Sequence, residues 1–246
     1  MLAIYKREMK SYFSSPIGYV YMFFYLILTG LVFYYFNLYV MSSDTSSYFL
    51  YSRYILIAAI PILAIKLFPD ERKNKTDQIL ITAPVSITRM VLGKYFAAYT
   101  VYVLSLVPGI FNMIFLGLNG NLEVGTVLIN YTGMMLIGAA FLAISMFMSA
   151  MTESIIVAYM LSAFVLAIFA VSDIVANTLN NSVLNKIVGI ISMTDRFEQF
   201  TQGLFNSSTI LYFLSVAAIF IFLIIRVIDK RRWSRCLERI KRITAR

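Results

Sequence analysis

Residues 128–150 read LINYTGMMLIGAAFLAISMFMSA, a run without a single Asp, Glu, Lys or Arg. A helix that crosses a bilayer needs ~20 mainly apolar residues, and this run is long enough. Small side chains, which let helix backbones approach closely, are concentrated in it: Gly133, Gly138, Ala139, Ala140, Ala143 and Ser145. The run therefore predicts a membrane span that packs within a helix bundle, with a contact between subunits as the alternative.

The composition of the whole chain indicates the same class. Of its 246 residues, 60% are hydrophobic and 13% are charged, whereas a soluble domain has ~45–50% apolar and ~25% charged residues. A soluble protein of this size would need a larger polar exterior than 21 basic and 12 acidic residues supply. We therefore expect an all-α integral membrane protein that forms a single membrane domain over residues 1–246.

Six segments are apolar over a length that can span a bilayer. They comprise residues 16–40, 55–68 (with 51–54 added to complete the span), 91–116, 128–150, 155–175 and 210–228. Between the last two spans, residues 176–208 mix Asn and Ser with apolar side chains. This segment is expected to form short external helices before the last span.

Residues 1–15 are predicted to form an amphipathic helix in the membrane interface. Their apolar residues recur at helical spacing, at Leu2, Tyr5, Met9, Tyr12 and Phe13. We do not expect a cleaved signal peptide, because the apolar run that follows is too long and lacks a small-residue cleavage pattern.

Basic residues in the loops predict the orientation of the spans. Three lie in the N-terminal arm, six lie in and beside the loop between the second and third spans, and nine lie from Arg226 onward. With six spans, all of these fall on one side, and only Arg53, Lys186 and Arg196 lie on the other. The sequence thus predicts a multi-pass protein of the cell membrane (inner or plasma membrane), with both termini cytoplasmic and a basic tail over residues 229–246.

Several chemistries are excluded or disfavoured. The chain has no histidine and one cysteine, Cys236, so His-based zinc sites, Ser-His-Asp triads and an internal disulfide are excluded. It contains no phosphate-binding loop, since Gly93-Lys94 is a lone pair. Lys66 and Asp173 come nearest to membrane depth, and we expect their side chains to snorkel to the interface. We therefore predict a protein that is not an enzyme, has no cofactor of its own and does not bind nucleic acid.

The loop between the second and third spans has a different character. A charged cluster leaves the membrane and is followed by a predicted short amphipathic helix, Thr76 to Thr82, which Pro84 ends. Ser86 is placed to cap the helix of the third span. A short cytoplasmic helix that is joined to two spans could transmit a force from a soluble partner to both of them. The alternative is an ordinary solvated loop.

Two stretches carry more specific motifs. The first comprises Lys6-Arg7-Glu8 and Tyr12-Phe13-x-Ser15-Pro16-x-Gly18-Tyr19, and the second comprises Glu71-Arg72-Lys73, Thr76, Gln78-x-Leu80-x-Thr82-x-Pro84-Val85-Ser86 and Gly93-Lys94-Tyr95. Together they resemble the signature of ABC type-2 exporter permeases, in the branch that includes the gliding-motility and nitrous-oxide-reductase-maturation permeases. One departure is Lys75, where members of the family usually have Gly.

The resemblance implies a half-transporter. Two permease chains, identical or different, would assemble with two ATPase subunits that bind ATP and magnesium, and the cargo is not specified by any residue. The contact with the ATPase would be made by Glu71, Arg72, Lys73, Thr76, Gln78, Leu80, Thr82 and Pro84, with Glu153 as a second contact. Two other functions stay open: an ion-coupled carrier or channel, and a membrane-embedded enzyme of lipid metabolism.

Overall fold

The computed structural model describes the backbone of residues 1–69, 86–120, 122–179 and 192–244, and the side chains of these residues except 171–179 and 231–244. All regular secondary structure within these ranges is helical. The helices are α1 (Leu2–Ser14), α2 (Pro16–Phe33, continued as a π-helix over Tyr34–Tyr39), α3 (Ser46–Ala64), α4 (Ile87–Asn119), α5 (Val124–Met151), α6 (Ile155–Leu179), α7 (Thr194–Thr201) and α8 (Ser207–Thr244).

Five of the predicted spans are confirmed as helices long and apolar enough to cross a membrane. These are Pro16–Tyr39, Ser46–Ala64, Ile87–Asn119, Val124–Met151 and Ser207–Lys230. Helix α6 occupies the position of the remaining predicted span, but the apolar stretch assigned to it, Ile155–Ala170, is shorter. The chain is therefore an all-helical protein with at least five membrane-competent helices in its described part, and the sixth span stays a prediction.

The start of the second span was predicted too late. Helix α3 begins at Ser46 and ends at Ala64, whereas the sequence favoured residues 55–68 with a short extension. Its first turns contain Arg53, which is buried and places its guanidinium 4.4 Å from the centre of the Tyr54 ring. Stacking on an aromatic ring stabilises a cation away from water, so a charged residue is accommodated inside the helix.

The turn that leads into α3 is held by a buried amide. Asn37 lies in the π-helical end of α2, and its Nδ2 donates to the carbonyl oxygens of Ser42, at 3.1 Å, and Asp44, at 2.9 Å. The Asp44 carboxylate in turn accepts from the backbone N–H of Ser46 at 2.9 Å. These bonds fix Asp44 at the start of α3.

Helix α5 is the centre of the bundle. It contacts α3, α4, α6, α7 and α8, and 72% of its most apolar window is buried, more than in any other of the five membrane-competent helices. Its small residues allow this, because the Gly138 Cα lies against the Tyr102 ring and Gly133 lies against Phe200. The expectation that the small residues of this span pack within the bundle is confirmed.

Helix α4 begins as the sequence predicted. Ser86 Oγ accepts from the backbone N–H of Arg89 and so caps the helix. The last helix, α8, continues without a break from its apolar part through Lys230 to Thr244.

We predict that Gly138→Ala destabilises the protein. The added Cβ would overlap the ring of Tyr102, and overpacking of a filled core typically costs about 1–3 kcal/mol. The measurement is thermal unfolding of the purified protein in detergent. Gly30→Ala is the matched control, because a Cβ at this helical glycine meets nothing within 4 Å. Equal melting temperatures for the two variants would contradict the packing described here.

Candidate functional site

A buried ion network lies where α1 packs against the start of α4. The side chain of Glu8 in α1 is almost completely buried, and that of Lys94 in α4 is completely buried. Lys94 Nζ lies 3.3 Å from Glu8 Oε1 and donates to the carbonyl oxygen of Leu67 at 2.9 Å. The half-exposed Arg7 places Nη2 2.5 Å from the same Glu8 oxygen. The Glu8 carboxylate is therefore held between two cations.

A second buried lysine binds the other end of α1. Lys66 donates from Nζ to the carbonyl oxygen of Ser11 and to Ser15 Oγ, and its ammonium lies 5.1 Å from the centre of the Tyr12 ring. The Tyr12 hydroxyl donates to the carbonyl oxygen of Leu63 at 2.8 Å. The expectation that Lys66 snorkels is wrong, because its ammonium is bonded within the protein to an oxygen of α1 and to the hydroxyl of Ser15 just after it.

The predicted apolar face of α1 is only partly covered by the protein. Tyr12 is buried, Met9 packs against the core and Tyr5 bonds Thr100, whereas Leu2 and Phe13 are 73% and 38% exposed. The side that packs on the bundle also contains Glu8, which the sequence pattern did not indicate. An ionised carboxylate thus takes the place of an apolar contact, which is possible only because Lys94 lies opposite it.

Two glycines allow α1 to approach its neighbours. A Cβ at Gly93 would lie 3.1 Å from Cγ2 of Ile4, and a Cβ at Gly18 would lie 2.5 Å from the carbonyl oxygen of Tyr12. Gly18, Gly93 and Lys94 all belong to the motifs quoted from the sequence. The sequence indicated no role for these three residues, and the structure brings them together around α1.

Electrostatics keep Glu8 ionised. Burial by itself raises the pKa of the Glu8 carboxyl, but Lys94 and Arg7 act in the opposite direction, and the resulting pKa lies below its ordinary value of 4.5. Burial also raises the pKa of the Tyr12 phenol well above its ordinary value, and the nearby Glu8 carboxylate adds to that rise. At neutral pH the network therefore contains an ionised Glu8 carboxylate and a neutral Tyr12 phenol.

The residues of the predicted ATPase contact lie between the Leu67 and Lys94 of this network in the sequence. Its residues Glu71, Arg72, Lys73, Thr76, Gln78, Leu80, Thr82 and Pro84 lie in the segment 70–85, outside the described residues. The chain enters that segment just after Leu67, whose carbonyl oxygen binds Lys94, and leaves it at Ser86, which caps α4. The network therefore ties together the two ends of the segment.

Glu153 lies at the same end of the bundle. It is exposed in the short link between α5 and α6. Near the end of α5, Ser149 Oγ donates to the carbonyl oxygen of Ala64 at 2.8 Å, so this link adjoins the end of α3. The placement is compatible with the predicted second contact and does not test it.

A separate polar feature lies inside the bundle. A cavity of about 10 Å³ has room for a single water molecule, and the hydroxyl-bearing residues that line it are Tyr25, Thr29, Tyr48, Ser52, Ser105 and Tyr131. None of the described side chains that line it is charged. Among the described residues, no group of three or more Cys, Asp or Glu is arranged to hold a metal ion.

The fold defines the class of this protein as an all-helical membrane protein with a charged network at one end. No protein-family model matches the chain, and no curated protein is similar enough to count as a relative. A more specific assignment therefore depends on the motifs and on the contacts described above.

We predict that Lys94→Met strongly destabilises the protein and that a second change, Glu8→Leu, restores much of the loss. Removal of one partner of a buried ion pair costs about 3–5 kcal/mol because the other charge stays buried, whereas replacement of both by apolar residues is often neutral. The measurement is thermal unfolding of both single variants and the double variant. Lys10→Met is the control, because Lys10 lies at an exposed position of α1, the helix that contains Glu8. A double variant as unstable as the sum of the single variants would contradict a direct Glu8–Lys94 interaction.

We also predict that Glu8 makes stability fall at acid pH. Its pKa is lowered in the folded protein, so its contribution is complete above 4.5, its ordinary value, and is lost as the pH falls below that value. The measurement compares the melting temperatures of the native protein and Glu8→Gln from about pH 7 to about pH 3. The difference between them should shrink in the acid range. A difference that stays constant would show that the carboxylate is not stabilised by the cations around it.

Proposed function

We propose that this chain is the membrane-spanning permease subunit of an ATP-driven exporter of the ABC type-2 class. It would cross the cell membrane six times with both termini in the cytoplasm. Two such chains, or one with a different permease, would assemble with two ATPase subunits that bind ATP and magnesium. The motifs quoted above support the class, and the ion network supports the way in which the chain would work.

The single observation that carries the mechanism is the bond from Lys94 to both Glu8 and the Leu67 carbonyl. In the proposal, closure of the ATPase dimer pushes on the helix from Thr76 to Thr82. A flexible junction would absorb such a push. Here Lys94 instead bonds three parts of the chain together, namely α1, the residues just after α3 and the start of α4. Such a junction would move as one body, so the push would reach α3 and α4 at once.

Movement of those spans would reach the rest of the bundle through α5. Helices α3 and α4 both pack on this central helix, and Tyr102 of α4 donates to the carbonyl oxygen of Met134 at 2.5 Å. The outward faces of α2, α4 and α6 expose large apolar side chains, such as Phe23, Phe111 and Phe164. No hydrogen bond to another helix is described for these side chains. Tilting of α3 and α4 relative to α5 would open a path or a lateral gate for the cargo.

An ion-coupled carrier or channel is the second candidate. The observation in its favour is Asn130, which is completely buried on α5 and whose side chain has no hydrogen-bond partner within the described residues. A carrier usually places ionisable groups at its binding site. The hydroxyl-lined cavity has no charged lining residue in the described part of the chain, which favours the exporter.

We predict that Gln78→Lys together with Leu80→Glu abolishes co-purification of an ATPase subunit with the tagged chain. The two changes would place charges on the helix proposed to dock on the ATPase, where an unpaired buried charge is costly. The measurement is the amount of ATPase protein and of ATP hydrolysis recovered with the tagged chain from its native membranes.

The matched control is Gln202→Lys together with Leu204→Glu. These residues have the same Gln-x-Leu spacing and are exposed beyond α7, away from the ion network. The control should retain the ATPase in full. Recovery of the ATPase with the Gln78 and Leu80 variant, or its absence from the unsubstituted chain, would refute the proposed function.

A further inference from the structure

An apolar groove opens between α4 and α5 at the end of the bundle that lies away from the ion network. Its volume is about 440 Å³, within the range of small-molecule sites. Its lining is almost entirely apolar and includes Ile114, Gly117, Leu122, Val124, Leu128 and Met135. Val124 and Leu128 are more than 60% exposed, so the groove faces outward from the bundle.

The position of the groove along α4 places it at a membrane surface. The helical rise puts Gly117 about 35 Å from Lys94 along the axis, slightly more than the ~30 Å hydrocarbon thickness of a bilayer. In a bilayer crossed by α4 with Lys94 near one surface, the groove would lie beneath the opposite headgroup layer. Phospholipids would surround it there.

A polar recess of about 230 Å³ adjoins the groove and shares Leu122 with it. Two exposed carboxylates, those of Asp44 and Glu123, line this recess, and none of its described lining residues is basic. Asp44 Oδ1 accepts from the backbone N–H of Ser46 at 2.9 Å, and Glu123 Oε2 accepts from Thr126 Oγ1 at 3.0 Å. A carboxylate has about four acceptor positions, so both retain capacity for an external donor.

We propose that the groove and the recess together bind one phosphatidylethanolamine molecule. One acyl chain would lie between α4 and α5, and the primary ammonium of the headgroup would donate hydrogen bonds to Asp44 and Glu123. Charge complementarity selects this lipid. Two carboxylates repel an anionic headgroup such as phosphatidylglycerol, and the trimethylated ammonium of phosphatidylcholine has no N–H to donate.

This site is separate from the proposed ATPase contact and does not depend on the chain being an exporter. It lies at the opposite end of α4 and involves none of the residues of the ion network. Occupied, it would join the turn before α3, which carries Asp44, to the α4–α5 hairpin. The ligand would therefore stabilise the outer end of the bundle.

The experiment measures lipid binding to the purified full-length chain by native mass spectrometry. The detergent-solubilised protein is titrated with phosphatidylethanolamine, phosphatidylcholine and phosphatidylglycerol that carry identical acyl chains. We expect phosphatidylethanolamine to be retained best. The variant Asp44→Asn with Glu123→Gln keeps an oxygen acceptor at each position, and should weaken that retention about tenfold, as the loss of charge-assisted bonds implies, without weakening phosphatidylglycerol binding.

Two controls separate the headgroup from the acyl chain. Asp195→Asn with Glu198→Gln removes the same charge from α7, outside the groove, and should retain the preference. Gly117→Leu fills the groove, since Gly117 lines it and a Cβ at this position would lie 3.6 Å from Cδ2 of Leu122, and should reduce retention of all three lipids. Gly30→Leu, at a glycine with open space around it, should not.

Equal retention of the three lipids by the unsubstituted chain would overturn the proposal. So would a preference that survives the loss of Asp44 and Glu123, or retention that is unaffected by Gly117→Leu. The melting temperature of each variant without added lipid is measured in parallel, and loss of binding supports the proposal only in variants that melt like the unsubstituted chain. If Gly117→Leu is unstable, Leu128→Trp tests the same groove from an exposed position on α5.

Discussion

The contact between Glu8 and Lys94 is the constraint on which this end of the molecule depends. An ammonium buried in an apolar bundle is strongly unfavourable unless an anion and hydrogen-bond acceptors surround it. Lys94 has no exposed surface, and its two acceptors come from α1 and from the chain just after α3. The position of α1 is therefore fixed by the charge of a residue far away in the sequence. An amphipathic helix becomes part of the bundle.

The central helix α5 is the second constraint on the structure. Its glycines accept the rings of Tyr102 and Phe200 at distances that no larger residue would allow, so the neighbouring helices are positioned by shape. Charge fixes the rim of the bundle and close packing fixes its axis. Near the end of α5, the Ser149 hydroxyl also bonds the carbonyl oxygen of Ala64 and so links α5 to the end of α3.

Features with a local cause could be predicted from the sequence. Apolar length alone identified five spans, small residues identified the packed helix, and Ser86 was correctly placed as a cap because capping depends on neighbours three residues apart. The start of α3 was predicted too late because Arg53 interrupts the apolar pattern that marks a span, although the ring of Tyr54 accommodates its charge. The prediction about Lys66 failed because its acceptors, Ser11 and Ser15, are distant in the sequence. Glu8 and Lys94 were both quoted in motifs, yet nothing in either motif indicates that they meet. The residues of the predicted ATPase contact lie outside the described ranges, so their roles stay predictions.

The unbroken course of α8 has a mechanical consequence. At ~1.5 Å per residue, the 38-residue helix is about 57 Å long, and roughly its last third lies beyond the apolar part that ends at Lys230. When a long, straight helix tilts about one end, its other end moves in proportion to its length. A tilt of about 10° about its far end would move the terminus of such a helix by about 10 Å, given the length that the helical rise implies. A small tilt of the last span would therefore displace the basic end of α8 by a much larger distance beside the membrane.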